Sequence, residues 1–313
     1  MTIAIVLVVL IVLAYWLTYP KLGHHLYYYG NALEAKLYGL NKSVMTLKGI
    51  EHKIWSNHKT DKPLLLLVHG FSASHAVWLR YAKHFTHDYH VVALDLAGHG
   101  ETGYQQDWDY SIAAQSARLQ ELISKLGHDK AHIVGNSMGG FIAAHMAVNC
   151  SQVCASIVLI DPAGIDSPIP SKMVQMQAQG RNPFYIENEA DFARFYQMVM
   201  AKPPYAPNIV KSAISEQYQT RKHQLMKIFD DFNSQHNYLK GELNKITCPS
   251  LVIWGAKDDL IDVSSAKVWS DGINCASHVW QDLGHMPMFE DPKRTALATL
   301  EFLAQHDITQ EKY

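Results

Sequence analysis

Apolar positions in this chain recur with two periods. From residue 64 onward, short unbroken runs (Leu64 to Val68, His90 to Asp95, Ala131 to Gly135, Ala155 to Asp161, Ser250 to Gly255 and His278 to Leu283) alternate with amphipathic stretches such as Ser111 to Leu126. An unbroken apolar run of that length marks a strand buried on both faces of a mainly parallel sheet, and the stretches between such runs are its crossover helices. A helical stretch around Trp78 to Phe85, a helix from Val263 and a closing helix from Lys293 to His306 continue the alternation. Upstream, Val44 to Leu47 and Lys53 to Trp55, joined through Lys48-Gly49, read as a hairpin. The series predicts an α/β fold built on a mostly parallel, doubly wound sheet.

The alternation pauses once, over about residues 162–245, where the pattern is helical and broken by Pro168, Pro170, Pro183, Pro203, Pro204 and Pro207. This insertion falls between two strands on the carboxyl side of the sheet, the side where ligands bind, so it is placed to act as a lid. Its Met173, Met176, Met198, Met200 and Met226, with Phe184, Tyr185, Phe192, Phe195 and Tyr196, offer the adaptable apolar lining that an acyl chain needs.

A second departure is the N-terminus. Thr2 to Leu17 carries no charge and is nearly all β-branched residues or Leu, close to the roughly 20 residues that span a bilayer. Tyr15, Trp16, Tyr19 and Lys21 form an aromatic and cationic belt at its end. Neither the basic flank nor the small-x-small cleavage site of a secretory signal is present, so the segment reads as a retained anchor. Lys21, Lys36 and Lys42 follow it, which places the body of the protein on the cytoplasmic side. His24 to Leu40 reads as an amphipathic helix with its tyrosines at headgroup depth. The chain thus divides into an anchor (1–20), a juxtamembrane helix or stalk (21–43), a core in two pieces (44–161 and 246–313) and a helical lid (162–245).

Composition narrows the function classes. With 48% hydrophobic and 18% charged residues among 313 and a net charge of −2, nothing provides the basic surface of a nucleic-acid partner. The four cysteines, Cys150, Cys154, Cys248 and Cys275, have no metal-ligand spacing and make no disulfide framework, so they read as core thiols.

Candidate chemistry gathers where strands end. In Gly135-Asn136-Ser137-Met138-Gly139 an apolar run stops and an Ala-rich helical pattern starts, the setting of a nucleophile elbow. Ser137 is the predicted nucleophile; glycines two positions to either side let strand and helix approach closely. A serine needs a base, and the base an acid, in that chain order Ser, Asp, His for this architecture. Leu283-Gly284-His285 supplies the base, His285. Gly255-Ala256-Lys257-Asp258-Asp259 supplies the acid, read as Asp258, with Asp259 assigned to capping the next turn. Asp161 stays open as an alternative acid because it ends a strand at the same edge. The oxyanion needs two converging amides, those of Met138 and, in the loop His69-Gly70-Phe71, of Phe71. His69 and Gly70 shape that loop, and Asp95 in the glycine-punctuated turn 95–100 is structural.

Taken together, HGF (69–71), DLAGHG (95–100), GNSMGG (135–140), WGAKDD (254–259) and GHMP (284–287) resemble the α/β-hydrolase superfamily across residues 44–306. The N-terminal anchor and the segments 181–184 and 200–205 are similar to small bacterial lipases and membrane-anchored monoacylglycerol lipases of that superfamily. One departure is Val263, five residues past Asp258, near where such acid motifs usually carry a proline. The resemblance implies hydrolysis of carboxylic esters of acylglycerols through Ser137, Asp258 and His285, without a cofactor, by a catalytic domain facing the cytosol. The expected activity is that of a serine esterase or lipase acting on monoacylglycerols or short-to-medium acyl esters. A C-C bond hydrolase of ring-cleavage diketones is the alternative, since GNSMGG and WGxxD also occur there; a non-catalytic binding module is a remote one. Dehalogenases and epoxide hydrolases need an aspartate where Ser137 stands.

Overall fold

Eight strands form one sheet in the computed structural model, which describes residues 4–9, 19, 21–234 and 236–306. The strands are β1 (Asn41–Leu47), β2 (Ile50–Ser56), β3 (Leu64–Val68), β4 (His90–Leu94), β5 (Ala131–Asn136), β6 (Cys154–Ile160), β7 (Ser250–Gly255) and β8 (Ala276–Trp280). Their order is β1-β2-β4-β3-β5-β6-β7-β8; the β1-β2 and β2-β4 pairs are antiparallel and the rest parallel. Strands β3, β4 and β5 are buried along their whole length, as their unbroken apolar runs require. Parallel pairing of β3 to β8 brings the ends of β3, β5, β6 and β7 to one edge, and every predicted chemical residue follows one of those ends or the turn after β8.

Most predicted elements fall within a residue or two of their expected limits. The 112–125 helix begins at the Ser111 cap, whose side chain accepts from Ala114 N–H. The hairpin strands start three residues early, at Asn41 and Ile50, and the last strand is displaced: His278 to Leu283 is expected, but the strand is Ala276–Trp280 and Leu283 N–H turns back to Trp280 O. Here β8 is an edge strand, exposed from Ala276 to Val279, so it carries no buried apolar signature; Leu283, though fully buried, belongs to the turn. A short helix, Pro287–Glu290, starts on the proline that follows the histidine turn.

Between β6 and β7 lie the helices Lys172–Gln177, Glu189–Val199 and Asn208–Asn233. The N-terminal helix Lys21–Leu37 lies against Asn208–Asn233: His24 Nε2 is 2.7 Å from the Glu216 carboxylate, and Tyr19 bonds Ser212. Its own surface keeps Leu22, Leu26, Tyr29, Leu33 and Leu37 exposed, three or four positions apart and so on one stripe.

The predicted anchor falls mainly on residues outside those described. Residues 4–9 are helical, with Ile5 to Val9 exposed. Among the described residues no helix is long and apolar enough to cross a membrane.

Candidate active site

Ser137 stands between β5 and the helix Met138–Asn149 at φ 56° and ψ −118°, a conformation that non-glycine residues rarely hold. The flanking glycines are required by contact: a Cβ on Gly135 would lie 2.2 Å from Gly139 O, and one on Gly139 2.1 Å from Val68 O. Ser137 N–H is tied to Ile160 O at 3.0 Å, so the elbow is clamped between β3 and β6.

His285 and Asp258 meet as a buried pair, Nδ1 to Oδ2 at 2.6 Å. Asp258 Oδ1 meanwhile accepts from Leu260 N–H (2.8 Å) and Ile261 N–H (3.0 Å). That corrects one expectation: Asp258 itself caps the following turn, while Asp259 points outward to Lys172 Nζ at 2.9 Å. One carboxylate does both jobs because its two oxygens face opposite ways. Asp161 is fully buried close by and accepts Gly255 N–H at 2.9 Å. Geometry therefore pairs the histidine with Asp258, and the spacing in sequence could not rank the two.

Two residues that the sequence reading did not single out hold the histidine turn. Asn136 Nδ2 donates to both Ile160 O (3.1 Å) and His285 O (2.9 Å), crossing from the elbow to the histidine turn. The Glu290 carboxylate accepts from Gly284 N–H (2.9 Å), Met286 N–H (3.2 Å) and Lys202 N–H (2.7 Å). His285 N–H donates to Val199 O at 2.9 Å, so the end of the 189–199 helix is fastened to the histidine turn. Asn136 is the variable position inside the elbow motif, and Glu290 acts only through main-chain groups brought in by folding; neither has a spacing signal.

The loop after β3 is pressed onto Ser137. A Cβ on Gly70 would be 3.0 Å from Ser137 Cβ. Among the described residues no protein acceptor takes the Phe71 amide, and Met138 begins a helix, where first-turn amides lack intrahelical partners. The Phe71 ring packs away from them, against Phe184 (4.9 Å between centroids), Phe232 (5.3 Å) and Phe229 (5.5 Å).

His69 is buried with both nitrogens engaged, Nδ1 donating to Gly70 O at 2.8 Å and Nε2 accepting from Leu96 N–H at 3.1 Å. Burial lowers its pKa, which keeps it a neutral loop brace. Asp95 accepts His75 N–H and Glu101 N–H, each at 2.7 Å, the loop-shaping role its turn implied.

Ser137, Phe71 and His285 open onto one cavity of about 1040 Å³. Phe184, Phe192, Phe195, Tyr196 and Met200 of the 162–245 insertion line it, whereas Met173, Met176, Tyr185, Met198 and Met226 do not. Leu26, Tyr27 and Leu33 of the N-terminal helix form part of its wall. The cysteines are free, and burial pushes the Cys154 thiol up to about 12. Asp161, Asp258 and His285 bring donor atoms within 4.8 Å of one another, the only such grouping among the described residues. Asp258 Oδ1 is taken by two amides and its Oδ2 by His285 Nδ1, so the pair is held as a hydrogen-bonded unit rather than as a set of ligands converging on an ion.

A serine on a strained elbow, a buried His-Asp pair and an apolar cavity between them are an arrangement suited to acyl transfer. Relatives carry the same arrangement's fold. A solved structure of a membrane phospholipase A, a bacterial virulence factor, matches with a TM-score of 0.88 and 30% identity over 98% of both chains. Monoacylglycerol lipase abhd6-B of Xenopus laevis is 30% identical over 259 residues, 78% of this chain and 76% of its own. Lipase 3 of Moraxella sp. (strain TA144) is 32% identical over 244 residues, 77% of each chain. The alpha/beta hydrolase fold family matches residues 63–292. With that match and a 32% identical relative covering three quarters of its length, the chain belongs to the alpha/beta hydrolase fold family.

Proposed function

We propose that this protein is a serine carboxylic-ester hydrolase, a lipase or esterase for monoacylglycerols or short-to-medium acyl esters, working through an acyl-enzyme on Ser137. The observation that carries the reading is the 2.6 Å His285–Asp258 pair opening with Ser137 onto the same largely apolar cavity. His285 Nδ1–H donates to Asp258, which leaves Nε2 as the base. Nε2 takes the Ser137 proton as Oγ attacks the ester carbonyl. The amides of Phe71 and Met138 then hold the oxyanion, helped by the positive end of the 138–149 helix. His285 returns the proton to the leaving alcohol and afterwards draws one from the water that releases the acid. The lipases and monoacylglycerol lipase among the relatives support this over C-C bond hydrolysis. No step calls for a cofactor.

The test is hydrolysis of monoacylglycerols and p-nitrophenyl esters of graded acyl length by detergent-solubilised protein. A rate that peaks at short-to-medium acyl length is expected. No rate on any ester, with Ser137 still labelled by a fluorophosphonate, would transfer the reading to C-C bond hydrolysis.

Within this reading the 162–245 insertion is the lid, and the first 20 residues tether the catalytic domain to the cytoplasmic face of a membrane. The exposed stripe from Leu22 to Leu37 supports the tether, because it lies on the helix that walls the cavity, and Ile5 to Val9 are exposed apolar residues as well. An apolar stripe set beside a cavity mouth would rest in the headgroup region and offer lipid a short path to Ser137. Co-sedimentation with lipid vesicles checks this: the full chain should pellet, and a chain lacking residues 1–20 should remain largely in the supernatant. Equal partition of the two would reject the tether.

A further inference from the structure

Behind the His285–Asp258 pair sits a second carboxyl group that the proposed reaction does not use. Asp161 follows the last residue of β6 at φ 44°, a left-handed conformation in which Asp and Asn are the least strained side-chain-bearing residues. Its main-chain N–H is held by Ile253 O at 2.9 Å, and its Oδ1 accepts Gly255 N–H at 2.9 Å, so the side chain is fixed over the end of β7. Oδ2 is buried and has no hydrogen-bond donor among the described residues. A carboxylate oxygen of Asp161, one of Asp258 and a ring nitrogen of His285 lie within 4.8 Å of one another.

Two buried carboxylates at that separation are not both ionised. The donors decide which one carries the charge. Asp258 has three, Leu260 N–H, Ile261 N–H and His285 Nδ1–H, and Asp161 has one. We infer that Asp161 is a positioning residue that bears a proton on Oδ2 and donates it as a hydrogen bond to the Asp258 carboxylate, extending Ser137–His285–Asp258 by a fourth member.

This inference rests on the triad reading above. It gives the orphaned Oδ2 a partner and uses Gly255 N–H and Asp258 as complementary contacts of one neutral acid. Burial first and the Asp258 charge second hold its proton on; Gly255 N–H favours the charged form but is outweighed, the Glu290 charge adds to the first two, and the pKa is raised well above the ordinary carboxyl value. The mechanistic consequence concerns the base. A donor on Asp258 moderates its attraction for the His285 proton, so the imidazolium formed during attack keeps its Nδ1 proton and can still surrender the one on Nε2. An ionised Asp161 would instead put a second negative charge beside the imidazolium and make it a poorer acid toward the leaving alcohol.

Asp161→Asn and Asp161→Ala separate these states. The amide of Asn reproduces a protonated Asp atom for atom, its Oδ1 on Gly255 N–H and its Nδ2–H on Asp258, and it tolerates the same backbone. Asp161→Asn is therefore expected to keep kcat within about threefold of the parent, with the acid limb of the kcat/KM profile within about 0.3 pH unit of its place. Asp161→Ala loses the donor and should lower kcat by about tenfold or more and move that limb to higher pH, because a less restrained Asp258 holds the His285 proton more tightly. An acid limb displaced downward in Asp161→Asn would mean that the native residue is ionised, and an Ala variant matching the parent would mean that it positions nothing; either overturns the inference. Asp258→Asn is run alongside. If it is inactive, any such result falls on Asp161 alone; if it stays active while Asp161→Asn does not, Asp161 is the acid, and both the inference and the Ser137–His285–Asp258 triad are overturned. Thermal unfolding of each variant confirms that folded protein is being compared.

Discussion

Ser137→Ala is expected to lower kcat/KM for ester hydrolysis by about 10⁴- to 10⁶-fold, with KM and thermal stability nearly unchanged. The size follows from what the substitution takes away. Only Oγ is lost; the backbone at φ 56° is already imposed by Ile160 O on one side and by the close glycine contacts on the other. The apolar walls proposed to bind an acyl group, Phe184, Phe192 and Phe195 among them, do not involve the hydroxyl, so ground-state binding should persist. What disappears is covalent catalysis and with it the purpose of the His285–Asp258 pair, while the amides of Phe71 and Met138 would still stabilise direct attack by water. A residual rate well above the uncatalysed one is therefore part of the expectation. Steady-state rates on a p-nitrophenyl ester, beside a melting curve, decide it: a variant within tenfold of the parent would remove Ser137 from the chemistry.

How much of this was readable before folding depends on the distance over which each residue acts. Ser137, His285 and Asp258 are each announced locally, because glycine-punctuated turns after apolar runs leave a mark in the neighbouring few residues. The choice between Asp258 and Asp161 was not local: both end strands at one edge, and only the register of β6 against β7 together with the turn after β8 puts the imidazole against Asp258. Asn136 and Glu290 had no mark at all, since their partners are carbonyls and amides from other segments. The sequence pattern marks His24 to Leu40 as an amphipathic helix with its tyrosines at headgroup depth, whereas the observed helix, Lys21–Leu37, packs against Asn208–Asn233. Gly23, where an added Cβ would lie 2.1 Å from Ile209 O, sits against Asn208–Asn233, and a glycine gives no hydrophobic period to announce that packing. The edge strand β8 was misplaced for a related reason, exposure having erased its apolar run.

Gly139→Ala should reverse the sign that helix propensity predicts. In an open helical position, Gly to Ala stabilises by roughly 0.5–1 kcal/mol. Gly30, in the helix Lys21–Leu37, is such a position, with nothing within 4 Å of an added Cβ, and Gly30→Ala serves as the control that gains stability. At Gly139 the added Cβ meets Val68 O at 2.1 Å and His69 O at 2.7 Å, main-chain atoms that cannot swing aside as a side-chain tip would. Relief requires the 138–149 helix to slide or the end of β3 to withdraw. Overpacking of this kind costs about 1–3 kcal/mol, more than the propensity gain, so the urea midpoint should fall. Activity should fall further than stability does. Val68 leads directly into His69-Gly70-Phe71, and Met138 precedes Gly139, so either movement separates the two amides proposed to hold the oxyanion. Losing one such donor costs about 10²–10³ in kcat. A folded Gly139→Ala protein with kcat reduced by that factor, and KM little altered, would tie the tight elbow to oxyanion binding. Parental activity in that variant would mean that Phe71 and Met138 are not the donors, since their spacing could not survive the displacement a 2.1 Å contact enforces.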